Sequence, residues 1–336
     1  MPYVRVQPDD DAAVSCAVEI LNIARRQDDP DAAPALPELL AGDLRYGWDL
    51  EPDEMYLFAP TVDAPPIGIL ELHLPRRDNR HLVWSAVTVH PEHRRRGHGS
   101  ALVAETIRRA REAGRSTVWM GAAEDDLGAR RFLERFGFQY ASHDARRVQR
   151  LAEVDVAVLD RLYVEAERAA ADYELVRATL PTPDDVLEQL VEVTAAINDA
   201  PMGDLTYEDE HFDLARLRDF ETAVAGRGAR CYRIWARHRA TGQVGGHTVL
   251  SVNPAQPRHG WQGDTAVSRD HRGHRLGLLL KLDMLRWLES EHPELEVIET
   301  WNNADNTYMI AVNEAIGYRL SRTFAMFELT LDVEPR

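Results

Sequence analysis

The feature that most constrains this chain is a repeat. Val89, Arg94 and Gly99 recur as Val267, Arg272 and Gly277, each 178 positions later. The Gly137-Phe138 pair recurs as Gly317-Tyr318 at a spacing of 180. A nearly constant offset carried by separate motifs marks an internal duplication. The chain has 336 residues, which suits two domains of about 100–200 residues each. The division expected from the repeat is 1–150 and 151–336.

The hydrophobic periodicity agrees with two similar halves. In the first, 2–7 reads as a short strand, and 12–25 and 36–47 as helices, with apolar residues at helical spacing. Tyr56–Phe58, Ile67–Leu74 and Leu82–Val89 read as strands, the last rich in β-branched residues. A helix follows Gly99, then a strand at Thr117–Met120, a helix at Leu127–Phe136 and a strand from Phe138. The second half repeats this order after a helical connector at 154–171. It has a strand at Tyr173–Leu180, helices at 184–198 and 208–224, and strands at Cys231–Ala236, Gln243–Val252 and Trp261–Val267. A helix opens at Gly277, and Glu296–Trp301, Thr307–Ile316 and Tyr318–Leu331 read as strand, helix and strand. The expected class is α/β, with two tandem domains, each a mixed, mostly antiparallel sheet flanked by helices.

The chemistry concentrates where a strand meets a helix. Val87 and Val89 end a strand, and Arg94-Arg95-Arg96-Gly97-His98-Gly99-Ser100 leads into the next helix. Such a loop aims successive backbone N–H groups at one point, and the helix N-terminus adds a positive dipole. Arginines add charge-assisted contacts to phosphate. The nucleotide-triphosphatase loop needs Gly-Lys before Ser or Thr, but the sole lysine, Lys281, follows Leu280. The dinucleotide fingerprint needs a third glycine three residues after Gly99, where Leu102 stands.

This stretch resembles the pyrophosphate loop of the GNAT superfamily of N-acyltransferases, Arg/Gln-x-x-Gly-x-Gly/Ala. The second half resembles the same family through Val267, Arg272-Gly273-His274-Arg275-Leu276-Gly277, Asn306 and Asn313 to Tyr318. The two matches span nearly the whole chain, and tandem members of the family are known. The resemblance implies that acetyl-CoA is the acyl donor, held at the loop after Val89, the loop after Val267, or both, with Asn306 helping to hold the pantetheine arm. In this family a carboxylate on the strand before the loop often serves as base, and a tyrosine on the last helix often protonates the departing thiolate.

By position, Asp264 is the base candidate of the second half, and Ala86 stands in its place in the first. Asn313 occupies the tyrosine position of the second half, Leu133 that of the first. An amide can hydrogen-bond the sulfur but cannot act as an acid. Arg275 replaces the second glycine of the loop motif, and Asp126 stands where the second half has Asn306. The first half thus keeps the better phosphate loop, since Arg275 spoils the second, and the second half keeps the better polar groups; the balance favours the second half as catalytic, with Asp264 and Asn313 as its groups and Glu299 as a reserve base. Glu71 and His73 share one face of a strand, which could line a substrate groove but reads first as solvent-facing.

Bulk properties narrow the partners. A net charge of −17 argues against nucleic acid, whose binding rests on phosphate neutralisation; it either simply keeps the protein soluble or favours a cationic acceptor such as a small amine. Two cysteines exclude a disulfide scaffold and a four-cysteine zinc site, and no metal is expected. No apolar run approaches a membrane span and no leader core opens the chain, so the expected address is the cytoplasm, with no membrane partner. Two functions fit: an acetyl-CoA-dependent N-acetyltransferase for a small amine, or an acyl-CoA-binding regulatory protein without turnover.

Overall fold

A computed structural model describes residues 3–332; Pro2 of the first expected strand and 333–336 of the second expected domain lie outside the described residues. The chain forms two compact units. The first is built from β1 (Tyr3–Arg5), α1 (Asp11–Asp28), α2 (Pro37–Tyr46), β2 (Glu54–Phe58), β3 (Gly68–His73), β4 (Leu82–Val89), α3 (His98–Glu112), β5 (Thr117–Ala123) and α4 (Leu127–Arg135). After β6 (Gln139–Arg150) come α5 (Val156–Ala169), β7 (Tyr173–Thr179), α6 (Asp184–Ala195), α7 (Leu214–Gly226), β8 (Arg230–His238), β9 (Val244–Val252), β10 (His259–Val267), α8 (Leu276–Glu291), β11 (Val297–Asn303), α9 (Thr307–Ala315) and β12 (Arg319–Thr330).

The units are composed differently from a simple cut at residue 150. The first contains the chain up to Ser142, Asp204–Glu208 and the residues from Phe324; the second contains His143–Gly203 and Asp209–Thr323. Their closing strands are therefore exchanged. In the first unit the sheet runs β1-β2-β3-β4-β5-β12, with β12 supplying Phe324–Thr330 against β5. In the second it runs β7-β8-β9-β10-β11-β6, with β6 supplying Asp144–Arg150 against β11. Within each, β4–β5 or β10–β11 is parallel and the other pairs are antiparallel. The repeat conceals this exchange, because two strands of similar pattern can trade places without altering the sequence of either.

Each sheet is covered on both faces. In the first unit Val14, Ala17, Val18 and Leu21 of α1, at helical spacing, pack on Leu57 and Ile69. On the other face Leu102, Val103 and Ala110 of α3 pack on Leu70, Val83 and Val118. In the second unit α6 and α7 pack on Trp235, Val244 and Ala266, while α5 and α8 pack on Tyr232, Ile234, Leu250 and Ile298. Each fully buried aliphatic side chain contributes about 1.5–3 kcal/mol. Side-chain caps fix several helix starts: Asp10, Asp213, Asp126 and Asn306 each accept a backbone N–H three residues on. The helix expected over 208–224 runs from Leu214, because Asp213 caps it there. Glu208 is held instead in the first unit, its N–H donating to Asn79 and its carbonyl accepting from Asn79 Nδ2. No described helix is long and apolar enough to cross a membrane.

Candidate acyl-transfer site

In each unit the parallel strand pair opens part-way along. β4 and β5 are paired from Leu82–Thr117 to Ser85–Met120, and no further. β10 and β11 are paired from His259–Val297 to Trp261–Glu299, and Thr300 Oγ1 then donates across to the Gln262 carbonyl at 3.2 Å. Beyond these points Ala86–Val89 and Gly263–Val267 run toward the two loops without their parallel neighbour, paired only on the antiparallel side. Such an opening leaves backbone groups free to meet an extended ligand.

Both loops place two residues in the left-handed region at matched positions. In the first unit these are Arg95 (φ 60°) and Gly97 (φ 86°); in the second they are Gly273 (φ 88°) and Arg275 (φ 56°). Glycine and arginine have exchanged positions while the backbone shape is kept. Arg275 thus preserves the turn that its missing glycine would have served, at a cost of about 1–2 kcal/mol for a side chain in this region. No side chain caps α3 or α8, so their first N–H groups remain available to an anion.

The first arginine of each motif holds the loop in place. Arg94 Nε donates to the Val89 carbonyl at 3.0 Å, and its two terminal nitrogens grip Asp28 at 2.7 and 2.6 Å. Arg272 repeats this with the Val267 carbonyl at 3.2 Å and Asp199 at 2.5 Å, and Arg269 binds Asp199 as well. These two guanidiniums pull Asp199 down to about 2. Asp28→Asn and Asp199→Asn should therefore loosen their loops and weaken binding of a pyrophosphate-bearing ligand by a few-fold, with acetyl-CoA as the probe in calorimetry.

The remaining loop residues differ in openness. Arg95, Arg96, Gly97 and Ser100 are exposed, and His98 and Gly99 half-exposed, with the His98 ring 5.7 Å from that of Phe58. In the second unit Gly273 and Arg275 are exposed, and the Arg275 side chain pairs with Glu165 at 2.9 Å. Leu276 and Gly277 are buried, so Leu276 offers a ligand only its backbone. His274 lies 5.4 Å from the Tyr173 ring. Val87, Val89 and Val267 are half-buried and pack on their cores.

Asp264 sits at an irregularity. Gln262 pairs with Leu250 and Thr265 with Thr248, so Gly263 and Asp264 together oppose Val249. This bulge re-aims the strand beside the opening. The first unit has none: β3 and β4 pair regularly from Gly68–Val89 to His73–Trp84. The repeat itself carries a trace of the bulge. Trp84 and Trp261, which precede it, are 177 apart, whereas Val89 and Val267, which follow it, are 178 apart. Burial raises the Asp264 carboxyl to about 6, with Glu210 adding to the rise and Arg233 and Arg216 opposing it. Those neighbours carry no motif, so the sequence alone did not point to them.

The helix that would carry an acid offers none at the expected position. Leu133 is part of the first unit's core. Asn313 is fully buried; its Nδ2 donates to Asn302 Oδ1 at 2.9 Å and its Oδ1 has no hydrogen-bond partner. Asn306 Oδ1 caps α9 through the Met309 N–H at 3.1 Å, which leaves its Nδ2 as the donor for a ligand. Glu299 is buried at the last paired position and accepts from Trp301 Nε1 at 2.8 Å.

A splayed parallel pair and an uncapped helix behind an arginine- and glycine-bearing loop, present here twice, define a class of acyl-transfer domain, and the second unit adds a half-buried carboxyl beside the opening. The profile of the Acetyltransferase (GNAT) family matches residues 18–138. A mycothiol acetyltransferase of Saccharomonospora viridis is 30% identical over 243 residues, 70% of either chain. A tandem GNAT protein from the clavulanic acid biosynthesis pathway superposes with a TM-score of 0.81 at 27% identity, covering 99% of both chains. A GCN5-related N-acetyltransferase from Sphaerobacter thermophilus shares the fold, with a TM-score of 0.68 at 15% identity over 99% of this chain and 98% of that one. The chain belongs to the GNAT acetyltransferase family, as a tandem-domain N-acetyltransferase.

Proposed function

We propose that the protein transfers an acetyl group from acetyl-CoA to a small amine, in the cytoplasm, by direct attack of the amine on the thioester. The observation that carries this reading is Asp264, a carboxyl lifted toward neutrality at a bulge on the strand that opens into the second loop. An alkylamine has a pKa near about 10, so at pH 7 roughly one molecule in a thousand is neutral. A nearby base that accepts the proton has large leverage on the rate. The loops after Val89 and Val267 hold the donor's pyrophosphate through backbone N–H groups, with Arg95 and Arg96 adding charge in the first. Asn306 Nδ2 holds the pantetheine arm, and Asn313 hydrogen-bonds the sulfur through its remaining amide hydrogen. The mycothiol acetyltransferase relative supports an acceptor that is a small molecule. The absence of a tyrosine at Leu133 and Asn313 keeps a second reading in play, acyl-CoA binding without turnover.

Thiol release from acetyl-CoA on a panel of primary amines separates the two: turnover on at least one amine is expected, and none on any would leave only binding. The loops are tested apart. A Cβ at Gly97 meets nothing within 4 Å, and one at Gly277 meets only Thr265 Cγ2 at 3.9 Å, so a larger residue has room to enter the ligand's space, and at Gly97 it also strains the left-handed turn of the loop. Gly97→Trp and Gly277→Trp should each weaken acetyl-CoA binding at their own loop by tenfold or more in calorimetry. Unchanged affinity in both variants would refute the phosphate-loop reading.

A further inference from the structure

The sequence places no base on β4 of the first unit, because Ala86 stands where Asp264 stands in the second. The structure supplies one from the next strand. Glu71 on β3 is the register partner of Ala86, the first residue of β4 beyond its pairing with β5. Ile69, two residues from Glu71, belongs to the core under α1 and α2, so Glu71 points to that face rather than toward α3. Ala86 is exposed and carries only a methyl, so no longer side chain of that residue fills the space between the carboxylate and the opening. In the second unit the same pair of positions reads Val249 and Asp264. The carboxylate and the aliphatic residue have exchanged strands, just as glycine and arginine have exchanged loop positions.

We propose that the first unit is a second acyl-transfer centre, in which Glu71 is the base and a primary amine is the acceptor. The proposal rests on the reading that the loop after Val89 binds acyl-CoA. Glu71 is half-buried, and burial pushes its carboxyl up to about 7, with Asp53 adding to the rise and Arg25 opposing it. Asp53 is itself held by His73 Nδ1 at 2.6 Å. Trp84, 52% exposed on the same face of the adjacent strand, offers an aromatic surface on which a cationic amine can rest before it loses its proton. In the step, the amine nitrogen bonds to the thioester carbonyl carbon and the carbon–sulfur bond breaks. The ammonium has by then given one proton to solvent; a second passes from nitrogen to the Glu71 carboxylate as the amide forms, and CoA leaves as a thiolate that takes a proton from water, since Leu133 offers none.

The test uses the full chain and five proteins: wild type, Asp264→Asn, Glu71→Gln, the double variant, and Asp264→Asn combined with Glu71→Asp. Thiol release is followed on every amine that the wild type acetylates, and acetyl-CoA binding by calorimetry. On at least one amine, turnover should survive Asp264→Asn and then fall tenfold or more when Glu71→Gln is added, with acetyl-CoA affinity at the first loop unchanged. Glu71→Asp, which keeps the acid but shortens its reach, should restore part of that loss, which a purely structural role would not require. The proposal fails if no turnover survives Asp264→Asn while the first loop still binds acetyl-CoA. It also fails if Glu71→Gln leaves the surviving turnover unchanged. Loss of the underlying reading looks different: Gly97→Trp would then leave acetyl-CoA affinity as it was.

Discussion

Replacing Asp264 with Asn, in a Glu71→Gln background that silences the first unit, is expected to lower kcat/KM by about 10²–10³-fold. Acetyl-CoA affinity should hardly change, because Asp264 lies on the strand before the loop and not in it. The pH profile gives the sharper test. Attack needs both a neutral amine and an ionised Asp264, so log kcat/KM should rise with slope two below about pH 6 and slope one above it. In the variant only the amine titrates, and the slope should be one throughout. Stability should move the opposite way. The folded-state carboxyl is raised from 3.8 to about 6, so ionising it costs folding free energy. That cost is absent below pH 3.8, grows as pH rises, and is complete above about 6. Asp264→Asn should therefore match the parent at pH 4 and exceed it by about 1–3 kcal/mol at pH 8. A variant that loses activity without gaining stability would mean that Asp264 is not strained by burial, and a profile that keeps its lower inflection would assign the base elsewhere.

Much of this site was legible in the sequence, and the reasons for the rest are physical. The loops could be read because the turn into α3 or α8 needs left-handed residues, and glycine advertises them. Arg95 and Arg275 adopt the same conformation without advertising it, so the departure at Arg275 looked like damage to the second loop when the turn is intact. The duplication could be read because strand and helix periods survive divergence, whereas the exchange of β6 and β12 could not, since pairing partners leave no mark on a strand's own alternation. Glu71 was visible but looked solvent-facing. A β-strand's alternation says which residues share a face, and only the packing of Ile69 under α1 says that this face is covered. Asp264 was found by position alone. Its tuning by Glu210, Arg216 and Arg233 depends on residues brought from α7, the segment before it and β8, which no spacing rule connects.

Breaking the buried pair beneath Asp264 should cost the second unit about 3–5 kcal/mol. Glu221 and Arg233 are 4% and 2% exposed. Arg233 Nη1 donates to Glu221 at 3.2 Å and to Thr182 Oγ1 at 3.1 Å, and Glu221 also accepts from the Thr182 N–H and from Arg218. Glu221→Gln keeps the shape but leaves the guanidinium without its counter-charge, and burial already disfavours the charged arginine. For a unit of this size the loss corresponds to a fall in Tm of about 6–20 °C. Replacing both partners, as Glu221→Gln with Arg233→Met, removes the uncompensated charge and should recover most of it. The pair also sets the pH response of the site. Asp264 is the other carboxyl that faces Arg233. With Glu221 neutral, Arg233 acts on Asp264 with less opposition, so the lower inflection of kcat/KM should move below pH 6. With Arg233 gone as well, the one charge that most favours ionised Asp264 is lost, and the inflection should move above pH 6. The single and double variants thus predict opposite shifts around the parent. Equal inflections in all three proteins would show that the titrating base does not lie beside Arg233, and with it the assignment of Asp264 would fall.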